Sequence, residues 1–236
     1  MGALTGIRVI DFGHYVAGPL TGMLLADQGA TVIKVDPPGG PTFSSPANAT
    51  WNRGKLSINL DLKSDADVAI AERLIMSADI VIENFRAGVM DRLGIGFVAM
   101  NKVNPKLIYS SMPGFSILDS RSGLQGWEGI VMAATDVFRP IAEYRDMVQV
   151  LHQNPSKRIG EPVFTSDMVA SAYAALISSL AITTAILERE TSGEGQSIEV
   201  SLFDAMLQAV GILAMTRPPF RPVTTPIFSG FDHQYQ

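Results

Sequence analysis

One carboxylate stands at the head of an otherwise uncharged segment. From Glu161 to Glu188 the sequence EPVFTSDMVASAYAALISSLAITTAILE has one internal charged residue, Asp167, and twenty uncharged residues follow it. A carboxylate can act as a covalent nucleophile, but an acidic residue is also common in the first turn of a helix. The residues alone leave both interpretations open. With Thr165 or Ser166 as N-cap, we expect Asp167 in the first helical turn, where free N–H groups favour an anion.

The composition excludes several other chemistries. The 236 residues include no cysteine, which excludes disulfides, thiolate zinc sites and a cysteine nucleophile. The three histidines, His14, His152 and His233, are far apart, and no ligand cluster at a recognisable spacing predicts a metal site. The net charge is −5 and the basic residues are scattered, so we expect neither nucleic acid nor an anionic membrane as a partner.

The termini and apolar segments bear on location. The opening MGALTGIRVIDFG has no basic region followed by an apolar stretch, so it does not resemble a signal peptide, and we expect a cytoplasmic protein. The uncharged residues 168–187 are long enough to span a bilayer. Six of them are Ser, Thr or Tyr, and no second such segment exists. A helix buried between layers of a globular protein is therefore the preferred interpretation.

The elements that must position Asp167 follow from hydrophobic periodicity. A strand at 7–13, a helix at 18–29 and a strand at 31–36 form a parallel strand–helix–strand unit. Further strands are predicted at 57–62, 79–85 and 107–115, with helices at 64–76, 88–94, 97–105, 128–138, 167–188 and 202–215. We therefore predict an α/β fold: a doubly wound, mostly parallel Rossmann-like sheet flanked by helices, with a long buried helix after residue 167 and ligands at the strand carboxyl ends.

The segment GHYVAG, residues 13–18, tests the dinucleotide alternative. A dinucleotide fingerprint has a glycine in the middle of this turn so that the backbone can approach a pyrophosphate. Here Tyr15 occupies that place, and its side chain would obstruct the approach. Asp36 stands at the end of the second strand, where dinucleotide-binding enzymes have the acidic residue that binds the ribose, but an aspartate at a strand end is also common in turns. A nicotinamide enzyme is therefore disfavoured.

Five segments of the chain together carry a resemblance to a known family. They are IRVIDFGHYVAGPLTGMLLADQGATVIKVDPPGG, NRGKLSINLDLKS, ADIVIENFRAGVMDRLGIG, NPKLIYSSMPGF and SGEGQSIEVSLFDAML. In their order and spacing, from about residue 4 to residue 210, they resemble the family III CoA-transferases, the CaiB/BaiF family. The resemblance implies a transferase that moves coenzyme A between carboxylic acids, with coenzyme A as the only cofactor and no metal.

The resemblance also implies catalytic roles. The family's nucleophile is an aspartate just before a helix of small residues, which is the place of Asp167. Trp127 and Glu128 match an aromatic–acid pair beside the reacting thioester, although an exposed Glu at a helix start is an equal alternative for Glu128. A racemase branch of the family carries a histidine where this chain has Trp127. An indole is no general base near neutral pH, so racemisation of 2-methylacyl-CoA is the less favoured activity.

For coenzyme A the resemblance implies two kinds of contact, to cations and to backbone N–H groups. The cations Lys63, Arg86 and Arg92 would meet its phosphates, although most such residues are solvated surface charges. The loop after the first strand would offer N–H groups near a helix start. The full predicted set is His14, Tyr15, Val16, Ala17, Leu60, Lys63, Asn84, Phe85, Arg86, Arg92, Leu93, Gln125 and Trp127.

The resemblance divides the chain in two. Residues 1–216 correspond to the N-terminal, CoA-binding portion of the family's large domain, and the proline-rich residues 217–236 read as a linker toward a second domain. Family members form interlocked dimers, so we expect a homodimer or a complementing subunit. The alternative function is a non-catalytic CoA-binding or scaffolding subunit that needs a complete partner chain.

Overall fold

The computed structural model describes residues 2–43, 45–135 and 167–210. Its six strands are β1 (Arg8–Asp11), β2 (Thr31–Asp36), β3 (Leu56–Asn59), β4 (Ile80–Glu83), β5 (Ile108–Ser111) and β6 (Ser197–Glu199). Its eight helices are α1 (Ala17–Asp27), α2 (Pro46–Trp51), α3 (Asp65–Met76), α4 (Val89–Arg92), α5 (Phe97–Val103), α6 (Glu128–Ala134), α7 (Val169–Ser192) and α8 (Leu202–Val210).

All six strands form one parallel sheet in the order β3-β2-β1-β4-β5-β6. The chain leaves β3 and returns to the far side of β1 to form β4, so the strand order reverses between β1 and β4. This order is that of the doubly wound dinucleotide-binding fold, and the reversal point is where such sheets bind ligands. The predicted α/β class and parallel sheet are therefore confirmed.

Alternating side chains give the sheet two buried faces. Val9 and Ile80 pack into one apolar cluster, whereas their neighbours Ile10 and Val81 pack into the other. Both faces are buried because helices cover each of them, as parallel strands require. Helices α1, α6, α7 and α8 lie over the first cluster, and α3, α4 and α5 lie over the second.

Helix α7 crosses one face of the sheet, as the predicted long helix should. Its small residues Ala170, Ala174, Ala175 and Ser178 are buried against the sheet and the neighbouring helices. Its opposite face carries four exposed large side chains, Tyr173, Leu176, Leu180 and Leu187. The helix is thus buried along one stripe only, so the prediction of a helix buried between layers is correct for one of its faces and wrong for the other. Within the described residues it is the one helix long and apolar enough to cross a membrane by length and composition, a test that core helices of globular proteins also pass.

Two elements lie outside the sequence prediction. Helix α2 begins at Pro46 with Ser45 as its N-cap, and β6 is a three-residue strand paired with β5. Several other predictions fall outside the described residues: the extension of α6 to 138, that of α8 to 215, and the boundary between 1–216 and 217–236.

Candidate functional site

A cleft of about 620 Å³ opens at the carboxyl ends of β1, β2, β4 and β5. It therefore lies at the reversal point of the sheet, where the loops after β1 and β4 separate. Its lining consists of His14, Tyr15, Val16, Pro37, Thr42, Phe43, Asn84, Phe85, Arg86, Met112, Gly114, Gln125, Gly126, Trp127, Glu128, Met168, Ser171 and Leu202.

The loop after β1 is held on both sides. The side chain of Asn84 accepts a hydrogen bond from His14 N–H at 2.6 Å and donates one to His14 C=O at 2.9 Å. Gly13 and Gly18 are in direct backbone contact, because a Cβ on either would lie 2.4 Å from the other's Cα. Between these fixed points Tyr15 has φ = 59°, the one positive φ outside glycine among the described residues. A bulky residue is strained in that conformation.

Aromatic side chains form one edge of the cleft. The Tyr15 ring meets the Trp127 ring edge-on, with centroids 5.0 Å apart, and lies 6.1 Å from the Phe43 ring. Phe43 in turn stacks on Trp51 at 6.0 Å. We call Tyr15, Phe43, Trp51 and Trp127 the aromatic edge. Such a surface suits the apolar and amide groups of an extended ligand.

His14 lies in the cleft between an aromatic ring and a hydroxyl. Its ring packs against Phe85 at 5.1 Å, and its Nδ1 shares a hydrogen bond with Thr42 Oγ1 at 2.8 Å. Burial, with the nearby Lys34 cation, lowers the pKa of His14 to about 4. The imidazole is therefore neutral near pH 7. A histidine thus does share the cleft with Trp127, although the sequence places none near that residue.

Beneath the cleft a buried ion pair joins β1 to the turn before β3. Lys55 Nζ donates to Asp11 Oδ2 at 2.7 Å, and the two side chains are 1% and 0% exposed. Asp11 Oδ1 also accepts the N–H of Gly13 at 2.8 Å. Burial lowers the pKa of Lys55, and the Asp11 carboxylate opposes that shift. Neither residue was predicted as part of the site.

Glu128 caps a helix other than its own. Its Oε1 accepts the N–H of Ala170 at 2.6 Å, and its Oε2 accepts the N–H of Ser171 at 3.1 Å and Ser171 Oγ at 2.6 Å. The first N–H groups of α7 are among those that have no partner within a helix, so an acidic side chain there is favoured by hydrogen bonding and by the helix dipole. Glu128 is only 8% exposed, so the alternative of an exposed helix-start Glu is wrong.

Asp167 occupies a different place from the predicted one. Helix α7 begins at Val169 with Met168 as its N-cap, so Asp167 precedes the helix and is exposed. The expectation that it lies in the first turn is therefore wrong. The physical reason is that Glu128 already binds the N–H groups of the first turn. Asp167 is not among the lining residues of the cleft, but its neighbour Met168 is.

A second glycine contact positions Trp127 and Glu128. A Cβ on Gly126 would lie 2.2 Å from the Cα of Gly114, a distance that no side chain tolerates. Gly114 belongs to the segment after β5, so this contact brings the residues before α6 against the mouth of the sheet. Trp127 Nε1 also donates to Gln125 Oε1 at 2.6 Å.

Of the thirteen residues predicted to bind coenzyme A, eight line the cleft: His14, Tyr15, Val16, Asn84, Phe85, Arg86, Gln125 and Trp127. Ala17 and Leu60 are buried in the two core clusters, and Lys63 and Arg92 are exposed outside the lining. Leu93 packs against the second cluster. Arg86 is thus the one predicted cation that reaches the cleft.

The turn after β4 has its own buried support. Glu83 Oε2 accepts the N–H of Phe85 at 2.7 Å, and the carboxyl is 7% exposed. Burial raises the pKa of Glu83 to about 7, opposed by hydrogen bonds from Ser111 and Phe85 and assisted by the charges of Asp91 and Glu199. In the sequence, Glu83 could be recognised only as a single acidic residue at the end of an apolar strand. Asp11 at the end of β1 shows the same pattern.

Comparisons with known proteins agree on one family. The model of CoA-transferase family III matches residues 4–230. CoA-transferase/lyase DddD of Marinomonas sp. (strain MWYL1) is 43% identical over 208 residues, covering 88% of this chain and 24% of that protein. Succinyl-CoA:mesaconate CoA-transferase of Haloarcula hispanica is 35% identical, covering 88% and 53% respectively. Succinate–glutarate CoA-transferase of Agrobacterium fabrum is also 35% identical, covering 92% and 56%.

Solved structures share the fold at similar coverage. Rv3272 from Mycobacterium tuberculosis superposes with a TM-score of 0.79 at 30% identity, covering 91% of this chain and 58% of that one. A CAIB/BAIF family protein from Brucella suis gives 0.77 at 29% identity, covering 93% and 60%. The chain therefore spans between a quarter and three fifths of the length of these relatives.

Proposed function

The chain belongs to CoA-transferase family III, and from that premise we propose that it is the CoA-binding, nucleophile-bearing part of an enzyme that moves coenzyme A between an acyl-CoA and a carboxylic acid. One observation carries the proposal: the cleft at the reversal point of the sheet is bordered by the residues before α6 and by the start of α7. Met168, which follows Asp167, thus lines the same cleft as the loops that we propose to bind CoA.

The cleft residues fit the parts of coenzyme A. Tyr15, Phe43 and Trp127 of the aromatic edge, together with Met112, offer apolar surface to the pantetheine arm. The guanidinium of Arg86, exposed at the rim, can pair with phosphate. His14 is neutral near pH 7, so its ring can contact the ligand without a counter-ion. The ligand is therefore expected to lie across the loops after β1 and β4.

Asp167 would supply the chemistry in two exchanges. Its carboxylate attacks the acyl carbonyl of the thioester, expels CoA thiolate and forms a mixed anhydride. The thiolate then attacks the Asp167 carbonyl, which releases the first acid as a carboxylate and leaves an aspartyl-CoA thioester. The acceptor acid repeats these steps in reverse, so that Asp167 is regenerated. Covalent catalysis divides one difficult transfer into easier ones.

The position of Asp167 suits a nucleophile that must be reached by two substrates in turn. It is exposed, and it is free of the helix cap because Glu128 occupies the first-turn N–H groups. A carboxylate bound to those N–H groups would be less nucleophilic, because its charge would already be neutralised by hydrogen bonds. In this proposal Glu128 caps the N-terminus of α7, which leaves the carboxylate of Asp167 available for reaction.

The test is mass spectrometry of the intact protein after incubation with a panel of acyl-CoAs. Succinyl-CoA is the first donor to try, because two of the relatives above carry succinate or succinyl-CoA in their names. We expect an adduct that hydroxylamine removes and that peptide mapping assigns to Asp167. Asp167→Ala should give none. An adduct that persists in Asp167→Ala would refute the assignment of the nucleophile.

One alternative is favoured by a specific observation. Asp167 is exposed and does not line the cleft, and the chain spans about half the length of several relatives. The position of Asp167 outside the cleft fits a CoA-binding subunit whose catalysis depends on a partner chain. In that case the chain binds CoA but gives no adduct with any donor. Racemisation of a 2-methylacyl-CoA is a third possibility, for which α-proton exchange in D2O is the test.

We also propose a second copy of the chain as the partner. The exposed Tyr173, Leu176, Leu180 and Leu187 lie along one face of α7. Exposed apolar surface of this kind is typical of an interface. Sedimentation of the protein should give a dimer, and Leu180→Glu should shift it toward monomer. A wild-type monomer at all concentrations would contradict a homodimer.

A further inference from the structure

We propose that the buried Asp11–Lys55 ion pair is a positioning device that holds Tyr15 in its left-handed conformation and thereby fixes the aromatic edge of the cleft. The proposal deepens the proposed function, on which its ligand-binding test rests. Neither residue touches the cleft, so both would act through Tyr15 and its aromatic neighbours.

Lys55 joins three elements at one point. Its Nζ donates to Asp11 Oδ2 at 2.7 Å, to the C=O of Pro19 at 2.7 Å and to Asn52 Oδ1 at 2.9 Å. An ammonium group has three N–H donors, so all of them are used. The end of β1, the first turn of α1 and the residue after α2 are thereby held at fixed separations.

Hydrogen bonds on both sides of Tyr15, one of them made by Asp11, restrict its conformation. Asp11 Oδ1 binds the N–H of Gly13, and Asn84 binds both the N–H and the C=O of His14. On the other side Val16 C=O accepts the N–H of Leu20 in the first turn of α1. Tyr15 must close the gap between these anchored residues. A strained φ of this kind persists only where the surroundings over-determine it.

The pair does more than neutralise two buried charges. A buried ion pair costs desolvation that its mutual attraction barely offsets, and an apolar replacement of equal volume is often neutral. An apolar pair would, however, leave the N–H of Gly13 and the side chain of Asn52 without these partners. The packing is also specific, because a Cβ on Gly22 would lie 2.7 Å from Asp11 Oδ2 and 3.0 Å from Lys55 Nζ.

The aromatic edge is connected to Lys55 through Asn52. Asn52, which Lys55 binds, directly follows Trp51, and Trp51 stacks on Phe43 beside Tyr15. The chain contains two tryptophans, Trp51 and Trp127, and both belong to this edge. Its near-ultraviolet circular dichroism from tryptophan therefore reports the geometry of the edge without any ligand.

The experiment compares Lys55→Met with the wild type and with Arg189→Met. Arg189 is a matched control because it is a buried cation, paired with Asp79 at 3.2 Å, at the opposite end of the strands. For Lys55→Met we expect loss of most of the tryptophan near-ultraviolet signal with an unchanged far-ultraviolet spectrum. By calorimetry we expect affinity for coenzyme A to fall about tenfold, equal to about 1.4 kcal/mol. Arg189→Met should change neither quantity.

Each outcome decides the proposal. A folded Lys55→Met protein with the wild-type near-ultraviolet spectrum would overturn it, as would an equal spectral loss in Arg189→Met. If Lys55→Met does not fold, Asp11→Asn replaces it. That variant keeps an oxygen for Gly13 but removes the charge that faces Lys55, and an unchanged spectrum there also overturns the proposal. Failure of the wild type to bind coenzyme A would count against the proposed function, while the spectra still decide the role of the pair.

Discussion

The carboxylate of Glu128 closes the N-terminus of the helix that contains Ser171. Its Oε2 accepts both the backbone N–H of Ser171, at 3.1 Å, and the Ser171 hydroxyl, at 2.6 Å. Forty-three residues separate the two in sequence, so this contact joins α6 to α7 directly. It also explains why α7 begins after Asp167 and needs no cap from the residues before it.

Glu128→Gln should destabilise the protein. The amide keeps one acceptor oxygen, but its NH2 group is a donor and faces the N–H donors of α7. The substitution also removes the negative charge that interacts favourably with the helix dipole. We expect the free energy of unfolding to fall by about 1–3 kcal/mol, measured by urea denaturation. Glu190→Gln, an exposed position on the same helix, should stay within about 0.5 kcal/mol of the wild type. Equal stability of Glu128→Gln and the wild type would show that the cap contributes nothing.

Asp167→Ala should separate function from stability. Because Asp167 is exposed and precedes α7, its removal should change the free energy of unfolding by less than about 0.5 kcal/mol. The acyl adduct should be lost at the same time. Thermal unfolding and adduct trapping on one preparation measure both. A large loss of stability would indicate that Asp167 has a structural role.

Gly126→Ala should disturb the position of Trp127. The new Cβ would meet the backbone of Gly114 at 2.2 Å, so one of the two segments must move. Overpacking of this kind typically costs about 1–3 kcal/mol, and the tryptophan fluorescence should change with it. Gly123→Ala is the control, because a Cβ there meets no atom within 4 Å. Identical effects of the two substitutions would contradict the proposed close contact.

Glu83 should make stability fall as pH rises through the acidic range. Its pKa is raised to about 7 from an ordinary value of 4.5, so the folded protein keeps a proton that the unfolded chain releases. Stability from this group is therefore full below about pH 4.5 and is lost as the pH rises to about 7. Relative to Glu83→Gln, which stays neutral, the wild type should lose roughly 3 kcal/mol at most.

The titration of His14 also makes stability depend on pH, so the wild type must be compared with Glu83→Gln. Its pKa is lowered to about 4, so the unfolded chain binds a proton more readily and stability rises with pH over part of the same range. This effect is common to wild type and Glu83→Gln and cancels in their difference. Urea denaturation of both proteins across the range gives that difference. A difference that does not depend on pH would show that Glu83 titrates normally.

The sequence predicts the scaffold well because the scaffold depends on local periodicity. The run TVIKVD is strand β2 with its predicted bounds, and Ser64 precedes α3 as expected. Strand β6 was not predicted, since three residues carry too little periodicity and their strand conformation comes from pairing with β5. Helix α2 has no buried residue to produce an apolar stripe.

The site was predictable only where a motif marks it. The residues predicted in the first loop and in the turn after β4 do line the cleft, except for Ala17. The Asp11–Lys55 pair and the cap by Glu128 could not be found in this way. Each joins residues more than forty positions apart, and no local pattern encodes which distant group a buried charge will meet.

Helix α7 is fastened at both ends by charged groups from elsewhere in the chain. Glu128 holds its first turn, and near its last turn Arg189 donates to the C=O of Lys106 at 3.0 Å and pairs with Asp79. Its 24 residues make a rod of about 36 Å. Charged contacts at both ends restrain the helix against sliding along the sheet and against rotation about its axis. Asp167 lies one residue before the N-cap Met168, so its distance from the cleft depends on contacts that distant parts of the chain make with this helix.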